Sequence, residues 1–166
     1  MSNKNYTNRK EGFTIVEIII AIVIIVSVFG TILSLFSLDI RTSERNRTRL
    51  RAVLLAREAM EAVRNFRDNT TWSGNGPGTL IPGTSYHPVV ASSGWGIVSG
   101  SENTEIFTRN IVFYNVSRGI NDNIESVYSP ANNDPDTKKV IVTVSWSDRY
   151  GLASESLTSY ITNWRN

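Results

Sequence analysis

From position 18 to position 38 the chain runs 21 residues without a formal charge, and Ile18 to Val26 are nine consecutive apolar residues. A helix of about 20 apolar residues spans a hydrocarbon core of roughly 30 Å. The run is therefore long enough to cross a membrane and longer than the apolar region of an ordinary secretory signal. No small-x-small cleavage signal comes after it, so it is expected to stay with the mature protein. Such a segment cannot be the surface of a soluble domain, and it separates a short hydrophilic N-terminal stretch from a long C-terminal part.

Basic residues flank the run. Lys4, Arg9 and Lys10 lie before it, and Arg41, Arg45, Arg47, Arg49 and Arg51 after it. The totals nearly cancel, 17 Lys and Arg against 15 Asp and Glu for a net charge of +2, so overall charge does not point to nucleic acid. Cysteine is absent, which excludes disulfides, a thiol nucleophile and cysteine-based metal sites. His87, the one histidine, lies in a Gly/Pro/Ser-rich stretch and reads as a polar surface residue. Nothing marks out partners for a His-based triad, and the expectation is a chain that is not an enzyme and carries no cofactor.

Within the segment 13–38 the one charged residue is Glu17. A charge at the membrane centre costs on the order of 2.5–3.5 kcal/mol, less toward the edge, and such residues usually have a partner or a job. As an acid at a helix start, Glu17 also gains from the helix dipole.

Gly12-Phe13-Thr14-Ile15-Val16-Glu17, after a short hydrophilic stretch with Arg9 and Lys10 and before the apolar run, closely resembles the signal of type IV prepilins and pseudopilins. The resemblance implies cleavage by a prepilin peptidase between Gly12 and Phe13, and N-methylation of Phe13. It implies a 12-residue leader, a mature chain of 154 residues (166 minus 12), and Glu17 at the fifth mature position as the assembly residue. Glu11 stands before Gly12 where a basic residue is more usual, and there is neither a proline midway along the apolar segment nor a C-terminal cysteine pair. The five arginines after the run would, by the positive-inside rule alone, put the C-terminal part in the cytoplasm. The resemblance implies the reverse: a single-pass protein with its leader inside and its head outside, later in an extracellular or periplasmic filament.

After Leu38 the pattern becomes amphipathic. Leu50, Val53, Ala56, Met60, Val63 and Phe66 recur at spacings of three and four, which predicts a helical stripe. With no breaker between 41 and 69, the spacing predicts one helix over 13–67, roughly 80 Å at 1.5 Å per residue. Glu44, Glu58 and Glu61 among the bases argue against a purely membrane-surface helix. Residues 69–100, with Gly74-Asn75-Gly76-Pro77-Gly78, read as a connecting loop pinned by Trp72 and Trp95, and lack the Lys-Ser/Thr of a phosphate loop.

Alternation predicts strands beyond the loop. One covers 105–116 with Ile106, Val112, Tyr114 and Val116 on a face, and a second covers 139–147 with Val140, Val142, Val144 and Trp146 inward. After a turn at Asp148-Arg149-Tyr150-Gly151, 155–164 returns with Leu157 and Ile161, or alternately Tyr160 and Trp164, inward. The expected fold class is α+β: a long N-terminal helix, its first half transmembrane, packed against a small antiparallel sheet of three or four strands. The divisions are a leader at 1–12, a transmembrane and polymerisation helix at 13–38, an amphipathic half at 39–68, and a loop region and head at 69–166.

The loop 121–136 contains Asp122, Glu125, Asp134 and Asp136, oxygen ligands of the kind calcium takes, with Asp122, Asp134 and Asp136 the candidates, but the spacing matches no EF-hand and Asn-Asn-Asp-Pro-Asp is ordinary turn chemistry, so no metal is expected. Asn-X-Ser/Thr matches at Asn5, Asn46, Asn69 and Asn115 carry little information. Leu55-Ala56-Arg57-Glu58-Ala59-Met60-Glu61-Ala62-Val63-Arg64 and the Ser-Tyr-Ile-Thr-Asn-Trp ending resemble minor pilins or minor pseudopilins. The partners so implied are other pilin subunits, the peptidase, the assembly machinery and the membrane. Within this class the alternatives are a type II secretion pseudopilin and a DNA-uptake pilin; outside it stands a signal-anchored extracytoplasmic binding domain.

Overall fold

A computed structural model describes residues 12–91, 94–149 and 151–164. Its architecture is α+β, one long N-terminal helix and a six-stranded antiparallel sheet. Helix α1 spans Ile15–Asn69. The strands are β1 (Ser85–Ala91), β2 (Gly94–Ser99), β3 (Glu102–Thr104), β4 (Phe107–Ser117), β5 (Asn133–Asp148) and β6 (Gly151–Thr162). Five follow the order β2-β1-β4-β5-β6, and β3 pairs with β4 off that path. Two units divide the chain, 1–46 and 47–166, with the boundary inside α1.

The second unit owes its core to small residues. Ala52, Ala56, Ala59, Met60 and Val63 form a buried stripe on α1, and the alanines let the helix backbone come close to the sheet. Phe107, Ile111 and Phe113 of β4, Val140, Val142, Val144 and Trp146 of β5, and Ile161 of β6 meet it. All of these but Trp146 are exposed by 2 % or less, a jigsaw in which a missing methyl group is felt. Tyr86 packs edge-on to Phe113 with centroids 5.8 Å apart, and its hydroxyl accepts the Ile81 amide at 3.0 Å. Of the six stripe residues expected on this half of the helix, Ala56, Met60, Val63 and Phe66 are buried, Val53 is half-buried and Leu50 is exposed.

Ladder register is as expected in β5, where Val140, Val142, Val144 and Trp146 face inward. In β6 the first of the two readings holds: Ile161 is buried and Leu157 half-buried, while Tyr160 and Trp164 are exposed. The phase of β4 is the reverse of that expected. Phe107, Arg109, Ile111 and Phe113 point inward, whereas Ile106 and Tyr114 are exposed and Val112 is half-buried. Ile106 precedes the strand, beside Glu105 at φ 54° in the turn from β3. An inward arginine interrupts the apolar alternation, and a bulge between Asn115 and Val116 restores Val116 to the buried side.

Residues 69–100 are more ordered than a connecting loop. Gly78 donates its amide to the Trp72 carbonyl at 3.0 Å, so closely that a Cβ there would lie 2.7 Å from that oxygen. Trp72 is buried and donates Nε1 to the Pro135 carbonyl at 3.0 Å; Trp95 is half-buried and tied by its amide to Asn65 Oδ1 at 3.1 Å. The rest of the stretch holds the hairpin of β1 and β2, with His87 half-buried in β1. Pro88, which lacks an amide hydrogen, occupies a part of β1 that β4 does not pair. The final reversal falls where turn composition put it: Asp148 pairs with Gly151, which takes φ 114°, a value glycine tolerates. Tyr150 of that turn lies outside the described residues.

The reversed phase of β4 has a direct test. Ile111→Ala should lower stability by about 2–5 kcal/mol, whereas Ile106→Ala should change it by less than about 0.5 kcal/mol. Urea unfolding of the detergent-solubilised chain, monitored by tryptophan fluorescence, separates the two; equal losses would contradict this register.

Candidate functional site

At the start of α1, Gly12 and Phe13 precede the helix, Thr14 caps it and Glu17 lies in its first turn. Thr14 Oγ1 accepts the Glu17 amide at 3.3 Å, the side-chain half of a Thr-x-x-Glu capping arrangement. The carboxylate therefore sits at the positive end of the helix dipole. Gly12 has open space where a Cβ would project, and Phe13 is 79 % exposed. Lys4, Arg9, Lys10 and Glu11 lie outside the described residues.

Along the first unit every described residue is exposed. The helix is long and apolar enough to cross a membrane. Three of its hydroxyls are turned back on its own backbone: Ser27 donates to the Val23 carbonyl at 2.8 Å, Thr31 to Val28 at 2.7 Å and Ser34 to Gly30 at 3.0 Å. Where water is absent an unsatisfied donor is costly, and this back-bonding removes that cost.

The basic cluster after the apolar run divides between the units. In the second unit, Arg49 Nε lies 2.6 Å from Glu155 of β6, and Arg51 Nη2 lies 2.9 Å from Glu105 and over the Phe107 ring at 5.7 Å. These two arginines tie the helix to the sheet. Deeper in the same interface, Arg109 is 5 % exposed and forks onto Glu102, with Nη1 donating to the Leu55 carbonyl at 3.1 Å and facing Glu58 Oε1 at 3.3 Å.

The three loop aspartates do not converge on one point. Arg118 Nε reaches Asp134 Oδ2 at 2.6 Å, and its Nη1 lies 3.4 Å from Asp122, so an arginine already supplies the cation between those two. Asp136 turns away to accept Asn163 Nδ2 at 2.9 Å. Among the described residues no group of three or more His, Cys, Asp or Glu is placed to hold a metal ion. The hydrogen bond to Asp134 raises Arg118 above its ordinary value. Burial pushes the Asp134 carboxyl up, but hydrogen bonds from Arg118, Thr137 and the Asp136 amide outweigh it and hold the group below its ordinary value. Lys138, 7 % exposed and donating to Asn115 Oδ1 at 2.7 Å, is lowered by burial.

Sequence reasoning missed Thr14 as a cap, although Thr-x-x-Glu ahead of an apolar run is its written signal. It also missed the carboxylates that hold Arg49, Arg51, Arg109 and Arg118, most of which are brought close only by the fold. Comparison of the chain with protein-family models, with curated proteins and with solved structures found no match.

Because Asp134 titrates lower folded than unfolded, the unfolded chain binds more protons between the two values, and stability falls as pH drops below about 4. Asp134→Asn should be less stable than the parent at pH 7, and the gap should close as pH falls through the folded value. Melting curves of both proteins between pH 7 and pH 2 check this; a constant gap would assign the loss to packing.

Proposed function

We propose that this chain is a structural subunit of a type IV pilus or a related filament, held in a membrane by its N-terminal helix and polymerised through it, with no catalytic role. The observation that carries the proposal is the first unit of α1: apolar, exposed throughout, capped by Thr14 and bearing a single carboxylate in its first turn. A helix of this kind needs lipid or other helices around it. The Gly12-Phe13 junction and the spacing to Glu17 supply the sequence half of the reading.

In this mechanism a peptidase removes residues 1–12 and leaves a new amine on Phe13. Phe13 and Glu17 are four residues apart, about 6 Å along a helix axis. Burying either charge alone costs several kcal/mol, and pairing offsets much of that. Glu17 of an incoming subunit neutralises Phe13 of a neighbour and sets the axial register, while the back-bonded hydroxyls permit helix bundling without orphan donors.

Intact-mass analysis of native protein should find a chain beginning at N-methylated Phe13. A chain beginning at Met1 or Ser2 would sink the proposal. Gly12→Val, with a side chain where close backbone approach is required, should leave full-length precursor in the membrane.

The role of Glu17 is tested separately. Glu17→Leu should be cleaved and membrane-bound yet poorly incorporated into sheared filaments, and Glu17→Asp should be intermediate because its side chain is shorter. Immunoblots of sheared and membrane fractions measure both, with each variant as the sole copy. Normal incorporation of Glu17→Leu would return Glu17 to a helix-start acid and nothing more.

A further inference from the structure

On the sheet face opposite α1, three strands place a ladder of large polar side chains side by side. Tyr114 of β4 is register partner to Lys139 of β5, and Lys139 to Tyr160 of β6. Directly opposed residues stand about 4.5–5.5 Å apart at Cβ, so two phenols flank one ammonium. Ile141, next on the same face of β5, supplies an apolar floor. The loop 118–132 closes one side with Glu125 and Tyr128, and the cleft so formed holds about 330 Å³. That is within the range of small-molecule sites, which combine apolar and aromatic walls with a few placed polar groups.

The wall of the cleft is fixed in advance. The Glu125 amide donates to the Ser117 carbonyl at 2.9 Å, and Ser129 donates its amide to Ser117 Oγ at 2.9 Å. Arg118 fastens the loop base through its amide to the Asn132 carbonyl at 3.0 Å and through its side chain to Asp134. Tyr128 is held by its hydroxyl on Asn133 Oδ1 at 3.0 Å. Preorganisation of this kind reduces the entropy a ligand must overcome. Glu125 Oε1 accepts Asn132 Nδ2 at 3.3 Å, but Oε2 is buried with no donor among the described residues. A buried acceptor left unpaired by the fold is one that an ordered water or a ligand hydroxyl can complete.

We infer that this cleft binds a neutral saccharide unit, its ring stacked on Tyr114 and Tyr160 and its hydroxyls bridging Lys139 and Glu125. The chemistry selects the class. An ammonium only donates and a carboxylate only accepts, so a group that does both at neighbouring positions satisfies the pair, as vicinal hydroxyls do. The two opposite charges cancel within the cleft, which disfavours a net anion. Flat phenols, apolar in body and polar at the tip, match a pyranose that has C–H bonds on its face and hydroxyls at its rim. The site uses no residue of the apolar segment, so it stands or fails independently of filament assembly.

The test uses the full chain in a detergent without a sugar headgroup. Methyl β-galactoside, methyl β-glucoside and N-acetylglucosamine are the neutral probes, glucuronate the anionic one and leucine a zwitterion, each titrated by saturation-transfer NMR. At least one neutral probe should bind. Tyr114→Ala and Tyr160→Ala should each weaken that binding about tenfold, and Tyr160→Phe by no more than about threefold, because the stacking ring remains. Glu125→Gln and Lys139→Met, which leave the aromatic walls intact, should each weaken it too and provide the readout if an alanine variant unfolds. Absence of binding by every neutral probe, tighter binding of glucuronate or leucine, or binding indifferent to all these substitutions would each overturn the inference.

Discussion

The contact between the alanine stripe of α1 and the inward faces of β4 and β5 is the constraint on which the head depends. Ala52, Ala56 and Ala59 bury little area each, so the stabilisation comes from what they allow. With no bulk between helix and sheet, Phe107, Ile111, Phe113 and three valines close directly on the helix surface. Burial of one such side chain is worth about 1.5–3 kcal/mol. Arg109 is the exception inside this layer, a cation 5 % exposed that is tolerable because Glu102, Glu58 and the Leu55 carbonyl all face it. Removing one partner of such a buried pair is far worse than never having built it.

That same arginine explains where sequence reading fell out of phase. In β5 the inward positions from Val140 to Trp146 are uniformly apolar and the outward ones from Lys139 to Ser147 are mostly Ser, Thr and Lys, so alternation alone identifies both strand and face there. In β4 the inward line is Phe107, Arg109, Ile111 and Phe113, while the outward line includes Val112 and Tyr114. Period-two alternation then scores both phases alike, and only tertiary pairing of the arginine breaks the tie. The hairpin of β1 and β2 was hidden differently. Pro88 and the glycines Gly94 and Gly96 are punctuation in a linear reading, yet Pro88 sits where no ladder bond from β4 is needed, and both glycines lie in β2, in register with β1.

Charge was legible as a number and not as an arrangement. A net charge of +2 hides that Arg49, Arg51, Arg109 and Arg118 all have carboxylate partners, in three cases more than 50 positions away in the chain. The aspartates that composition offers to a cation illustrate the point. Asp122 and Asp134 do surround a positive charge, and it is Arg118. By contrast, the start of α1 was legible because its determinants are local: a cap, an acid three residues on, and the beginning of an apolar run.

Within the apolar segment, polar groups fall into two kinds. Hydroxyls of Ser27, Thr31 and Ser34 carry a donor, and the helix supplies carbonyls one turn back to receive it, so each is satisfied without leaving its own chain. A carboxylate has only acceptors, and past the first turn the helix amides are already committed to its own carbonyls. Glu17 can thus draw on the open amides and dipole of the helix start, yet its full charge still calls for a cation wherever water is excluded. Between Phe13 and Leu38 the chain offers no Lys, Arg or His to provide one. The donor must come from outside the segment, and in the assembly proposed above an amine at the N-terminus of a second helix would supply it at the same depth. This asymmetry between self-satisfied hydroxyls and a dependent carboxylate is the physical reason for proposing assembly, and not anchoring alone, as the role of the helix.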